Sequence, residues 1–190
     1  MAEQGTEQRR AGHFPDPAIL SMQPAEIFSR AKEKFGERIL EIVEQKPDPW
    51  MVVNPPAIVE VCQFLKDDPA ASFDCLSNES GVDYTDRIEV VYHLFSYRHR
   101  HEAILKVKLP RENPSIPTLE NIWKSATWME REIYDLLGVN FEGHSDLRRL
   151  LMPEDWIGHP LRKDFVEPQD YHGISTVRES PIIRLDAKKK

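Results

Sequence analysis

Cysteine is scarce in this chain, and its scarcity sets the first limit. Cys62 and Cys75 are the two cysteines in 190 residues. They cannot supply the four thiolates of an ordinary iron-sulfur cluster or of a cysteine-only zinc site. A disulfide between them is disfavoured in a reducing cytoplasm, so both read as core or half-buried residues. Long apolar runs are also missing. The stretch around residues 58–65 is broken by Glu60 and Gln63, well short of the roughly 20 apolar residues that cross a bilayer. Any membrane association is therefore expected through a partner. The eight glycines are scattered, with no GxGxxG and no GxxxxGK[ST], which argues against direct nucleotide binding. Neither a G-x-S-x-G elbow nor an HExxH pair occurs, which removes the most recognisable hydrolase signatures. Basic charge is in deficit: 25 Lys and Arg against 32 Asp and Glu leave a net charge of -7, the wrong sign for a protein built to hold nucleic acid phosphates. The first 17 residues, MAEQGTEQRRAGHFPDP, lack an apolar h-region, and Glu3 and Glu7 are unlike an acid-poor transit peptide. The expectation is a mature chain starting near Met1 in a bacterial cytoplasm.

What is present suffices for one core. Residues 1–20 are polar, carry Pro15 and Pro17, and read as a flexible arm. Residues 21–140 read as an α+β domain, and residues 141–190 as an extended partner-binding segment. From Pro24, the apolar residues Ile27, Phe28, Ala31 and Phe35 recur at helical spacing, and Gly36 follows where a left-handed cap would sit. The β-branched run at 39–43 suggests a strand ending at the turn-forming Lys46, Pro47, Asp48 and Pro49. A second helix is predicted with Asn54 as its cap, Pro55 in its first turn and a stripe of Ile58, Val59, Cys62 and Leu65. Residues 87–96 and 102–109 read as a hairpin, the first strand apolar on both faces and so interior, the second alternating Ala103, Leu105, Val107 and Leu109 with lysines. The fold class is α+β: a small mixed or antiparallel sheet covered by helices, with an extended irregular C-terminal segment.

Three histidines cluster along the hairpin: His93, His99 and His101. Imidazole is a common metal ligand, and a stand-alone metal-dependent enzyme using these three is one reading. Against it, His99 and His101 lie among arginines in the predicted turn, no carboxylate or cysteine joins them at ligand spacing, and His93 reads as a strand histidine with a satisfied hydrogen bond.

A third helix is predicted from Ser125 to Leu137, closed by Gly138. Ala126, Met129, Ile133, Leu136 and Leu137 share the arc that should dock on the core. Trp128 lies away from that arc, with Arg131, Glu132 and Asp135 on a charged face. Two explanations fit: a solvated face with an i,i+4 Arg131–Asp135 pair, or an interface anchor, since Trp and Arg dominate binding hot spots. Beyond Gly138 the chain is irregular, with Arg148, Arg149, Arg162 and Lys163 interspersed among acids such as Glu142, Asp146 and Asp164. Charge-assisted hydrogen bonds can tie such a segment down.

Four runs in this region stand out: EREIYDLLG at 130–138, FEGH at 141–144, DLRRLLMP at 146–153 and GHPLRKDF at 158–165. Together they resemble the signature of the 30 kDa-type subunit of respiratory complex I, NADH-quinone oxidoreductase. The likeness extends less strictly through SIPTLENIWKSATW at 115–128 and SGVDY at 80–84. The resemblance implies a non-catalytic structural subunit of the peripheral arm, with no catalytic residue, metal or cofactor of its own. The complex as a whole would carry electrons from NADH through FMN and Fe-S clusters to quinone, coupled to proton translocation. Partners would be the quinone-site subunit and the Fe-S subunits, on the cytoplasmic side of the bacterial inner membrane. Trp128, Arg131, Glu132, Asp135, Arg148, Arg149, His159, Arg162 and Lys163 are expected at or behind partner interfaces. An equivalent subunit of a related membrane-bound hydrogenase or other quinone-linked dehydrogenase is the nearest alternative, and a generic adaptor without a redox link is a third.

Overall fold

Pro24 fixes the backbone at the start of helix α1 (Pro24–Phe35), where Gln23 and Glu26 cap one another reciprocally. A computed structural model describes residues 21–45 and 47–177. Helix α1 turns Ile27, Phe28 and Ala31 inward. Gly36 takes a positive φ of 53° but not the left-handed ψ, and a 3₁₀ turn at Gly36–Arg38 leads into strand β1 (Ile39–Val43). Strand β2 (Trp50–Val53), which no sequence signal marked, returns antiparallel to β1. The expected cap at Asn54 differs in detail: Asn54 makes no side-chain cap, and Pro55–Ala57 form a 3₁₀ turn before helix α2 (Ile58–Asp67). Pro56 has no amide for the Asn54 side chain to accept from, and the Ala57 amide donates to the Asn54 carbonyl at 2.9 Å.

Strand β3 (Cys75–Asp83) pairs antiparallel with β4 (Arg87–Ser96), which pairs antiparallel with β5 (His101–Pro110). A parallel pairing of β2 with β5 completes a mixed five-stranded sheet, ordered β1-β2-β5-β4-β3. Strand β4 is interior as its two apolar faces required, and β5 buries Ala103, Leu105, Val107 and Leu109 while Lys108 stays exposed. A two-stranded parallel pair, β6 (Ser115–Pro117) and β7 (Asn140–Glu142), flanks the sheet and buries Ile116 and Phe141. Between them runs helix α3 (Ala126–Leu137). A small hairpin, β8 (Asp170–Tyr171) with β9 (Ile174–Ser175), ends the described chain.

The core joins α1, α2 and α3 to one face of the sheet through Phe28, Ile58, Leu65, Tyr92, Leu105 and Ile133. Cys62 is buried, Cys75 half-buried, and both are free thiols. Burial of their side chains alone accounts for both residues.

Candidate partner interface

Of the three histidines, two are structural. His99 and His101 are buried rather than held in an open turn, because each donates through Nε2 to a carbonyl of the α2–β3 connection: His99 to Pro69 at 2.8 Å and His101 to Ala71 at 2.6 Å. The Met22 amide donates to His101 Nδ1 at 3.1 Å. That bond requires a lone pair there, consistent with burial lowering the His101 pKa. The His93 carbonyl accepts from Ser77 Oγ at 2.9 Å. His93 faces Ile104 and Asn78 on the sheet face away from the helices, so the three rings do not converge. Among the described residues no group of three His, Cys, Asp or Glu could hold a metal ion.

Helix α3 organises what remains. Gly138 closes it in the left-handed conformation, φ 74° and ψ 30°, with its amide on the Tyr134 carbonyl at 2.9 Å. On the core side Ile133 and Leu137 lie over Gly81 of β3, where a Cβ would come within 2.3 Å of Leu137 Cδ1. Glycine lets strand and helix approach this closely. Glu130 is fully buried on the same helix, accepting from the Thr118 hydroxyl and from the Leu119 amide at 2.6 Å. Burial pushes its pKa up to about 7, against the opposing pull of those two donors and of His144. Glu120 accepts from Ser145 N and Oγ at 2.9 and 3.0 Å, fixing the start of the C-terminal segment.

The charged face of α3 is not solvated. Arg131 and Asp135 are buried, at 6% and 0% exposure, because the chain's own residues 146–165 cross over them. One carboxylate oxygen of Asp135 accepts the amides of Leu150, Leu151 and Met152 at 3.0, 2.7 and 2.8 Å, and the other takes Arg149 at 2.7 Å. Burial alone would raise the Asp135 pKa; the hydrogen bonds from Met152, Arg149, Leu151 and Leu150 outweigh it and hold the group below its ordinary value. The i,i+4 pair with Arg131 does not form. Arg131 instead donates to the Arg148 and Arg149 carbonyls, both at 3.1 Å.

A helix leaves its last carbonyls without intrahelical donors. Here the crossing segment supplies them: His159 Nδ1 to the Asp135 carbonyl at 2.9 Å, the Leu161 amide to Leu136 at 3.0 Å, and Arg162 Nε to Leu137 at 2.6 Å. Arg162 also places positive charge at the negative end of the helix dipole. Farther on, the Lys163 amide donates to Asp83 at 2.7 Å, and Arg111 binds Asp83, the Tyr84 carbonyl and Asp164. A segment without regular structure is thus clamped at both its ends, and its backbone polarity is largely spent on α3.

Its apolar side chains are not spent. Ile157 and Val166 are 84% exposed, and Leu151 and Leu161 are 60% exposed. Trp128 of α3 is also 60% exposed, with the Arg131 guanidinium 5.1 Å from its ring centroid. The nine residues singled out from the sequence therefore separate. Arg131, Asp135, Arg149, His159 and Arg162 hold the segment from beneath, while Trp128, Glu132, Arg148 and Lys163 are exposed. Sequence reasoning missed Glu130, Glu120, Asp83 and Arg111, whose partners are far along the chain. It also missed the exposed Ile157 and Val166, because an irregular stretch has no period from which exposure can be read.

Fold and site together define a class: an α+β module that clamps an irregular strap onto one helix and holds the strap's apolar side chains outward, as a member of a larger assembly does. The family model described as the respiratory-chain NADH dehydrogenase 30 Kd subunit matches residues 51–171. The chain is 44% identical over 148 residues to the NADH-quinone oxidoreductase C subunit of Roseiflexus sp. (strain RS-1), covering 76% of this chain and 85% of that one. Among solved structures it is similar to the trypsin-resistant fragment of Nqo5, with 29% identity, a TM-score of 0.57 and coverage of 66% of this chain and all of the fragment. It is also similar to a chain of the membrane-bound sulfane sulfur reductase, an archaeal respiratory membrane complex, with 27% identity, a TM-score of 0.58 and coverage of 75% and 85%. The chain belongs to the respiratory-chain NADH dehydrogenase 30 Kd subunit family.

Proposed function

We propose that this chain is a non-catalytic scaffold subunit in the peripheral arm of an NADH-quinone oxidoreductase, binding its neighbouring subunits through the strap and the exposed end of α3. The observation that carries the reading is the strap itself: buried charges fix a segment whose large aliphatic side chains face outward. Leaving Ile157 and Val166 in water gains nothing for an isolated chain, whereas a partner surface over them would gain roughly 1.5–3 kcal/mol of side-chain transfer energy for each. The buried charges lie behind that interface and set the strap's shape; Trp128, Glu132, Arg148 and Lys163 lie on it.

In this reading NAD, FMN, the Fe-S clusters and quinone are bound by other subunits, chiefly the Fe-S subunits and the quinone-site subunit that the strap contacts. No helix among the described residues is long and apolar enough to cross a membrane, so attachment to the cytoplasmic face of the inner membrane would come through those partners. The likeness to the sulfane sulfur reductase chain favours one second reading, an equivalent place in a related respiratory membrane complex. A tagged chain purified in mild detergent tests both. Co-purification of flavin- and NAD-binding subunits with NADH-quinone activity is the expected result. A metal-site subunit in their place selects the second reading, and a chain that purifies alone overturns both.

A further inference from the structure

Strand β3 is an edge of the five-stranded sheet, with β4 on one side. Its other edge opens into a cleft of about 240 Å³, bounded by Asn78, Glu79, Ser80 and Gly81 of β3, by α3, and by Leu161 of the strap. An unpaired strand edge offers a row of backbone donors and acceptors, and native proteins either blunt such an edge or use it. Here Asn78, Glu79, Ser80 and Gly81 of the nine-residue β3 border the cleft, with Asn78 exposed. Main-chain pairing by an added strand in a groove between an edge strand and a helix is a recurrent mode of peptide recognition.

The chemistry of the cleft narrows the occupant. Met129, Ile133, Leu136, Leu137 and Leu161 make one wall apolar. Of the two acids that line it, Glu79 and Glu132, Glu132 is the exposed one, and no basic residue among the described ones lines it. Glu132 is exposed and has no ion-pair partner among the described residues, and both carboxyl oxygens of Glu79 are buried without a hydrogen-bond partner. An exposed acid without an ion-pair partner at the rim of the groove disfavours a purely apolar strand, which is how specificity is built by exclusion. A strand bearing a positive charge is favoured at the same position.

We infer that the cleft between β3 and α3 receives an extended segment of a neighbouring subunit, pairing its backbone with β3, seating an apolar side chain against Leu136 and Leu161, and directing a Lys or Arg toward Glu132. The inference rests on the assembly reading. It adds a second docking element next to the strap, joined to it through Leu161.

A photo-crosslinking phenylalanine derivative at Asn78, in the purified assembly, tests it, with the same group at the exposed Glu33 of α1 as control. The expected product at Asn78 joins this chain to a peptide of another subunit that contains Lys or Arg. Charge reversal by Glu132→Lys should lower that yield, counted per assembled complex, about tenfold. An intact assembly without the crosslink, one whose yield ignores Glu132→Lys, or a crosslink to residues 178–190 of this chain or to a second copy overturns the inference alone. A chain that purifies with no partner subunits instead overturns the assembly reading, and this inference with it.

Discussion

Asp135 and Gly138 show how much of the strap's geometry depends on single residues. Asp135 is wholly buried and ties four donors, three of them successive strap amides. Asp135→Ala leaves those amides and the Arg149 guanidinium without an acceptor, which should cost about 3 kcal/mol, as removal of one partner from a buried charged network does. Thermal unfolding measures the loss, and trypsin should cut after Arg148 and Arg149 faster in the variant. Unchanged cleavage would mean the strap is held by something else. Gly138 has a different constraint. Its φ of 74° suits glycine, and a Cβ there would lie 2.5 Å from His159 Nε2, in the ring that caps the Asp135 carbonyl. Gly138→Ala should therefore destabilise the chain by about 1–2 kcal/mol, combining backbone strain with displacement of His159. Adding His159→Ala should recover part of that loss in the same denaturation measurement, because the clash is then removed.

At the scale of elements, helix α3 was legible as a helix with its ends, because its apolar period and Gly138 are local signals. Its docking face was partly legible: Ile133 and Leu137 are buried, while Met129 and Leu136 line the cleft, half-buried. The fate of its charged face was not legible. Whether Arg131 and Asp135 face water depends on where residues 146–152 lie, and an irregular segment has no period from which to read its path. Strand β2 was missed for a similar reason: four residues after two prolines show little periodicity, and its pairing with β5 is set by contacts more than 50 residues away. Strand β3 escaped because Ser77, Asn78, Ser80 and Gly81 are poor strand formers, and it is the pairing with β4 that holds them extended. The exposed strap residues carry a prediction at this scale. Ile157→Asp combined with Val166→Asp touches nothing buried, so the isolated chain should keep its unfolding free energy within the roughly ±0.5 kcal/mol typical of surface changes. In the assembly, the same double change should release this subunit on gel filtration in mild detergent. Retention of the doubly changed chain would remove the strap from the interface.

Over the whole molecule, buried acids of opposite tendency predict how stability follows pH. Asp135 and Asp68 have lowered pKa values. For Asp68, burial works against the shift, and the Ala70 amide and Arg30 outweigh it. Their contribution is present above the ordinary carboxylate value near 3.8 and is lost as pH falls below it. Glu130 and Glu79 act in reverse. Burial raises both, and Glu79 is raised further by Glu130, with Tyr92 directly across the β3–β4 register and Cys62 of α2 also nearby. The folded chain then holds protons that the unfolded chain has released, so stability falls as pH rises from 4.5 through about 7. Glu79→Gln keeps the shape and removes the ionisation. Its midpoint should match that of the unaltered chain near pH 5 and exceed it at pH 8 by several degrees, since each 1 kcal/mol is worth roughly 2–4 °C in a chain of this size. Thermal unfolding of both proteins across that pH range gives two curves that part as pH rises. Parallel curves would mean that Glu79 stays ionised in the fold, with a stabilising partner on its carboxylate.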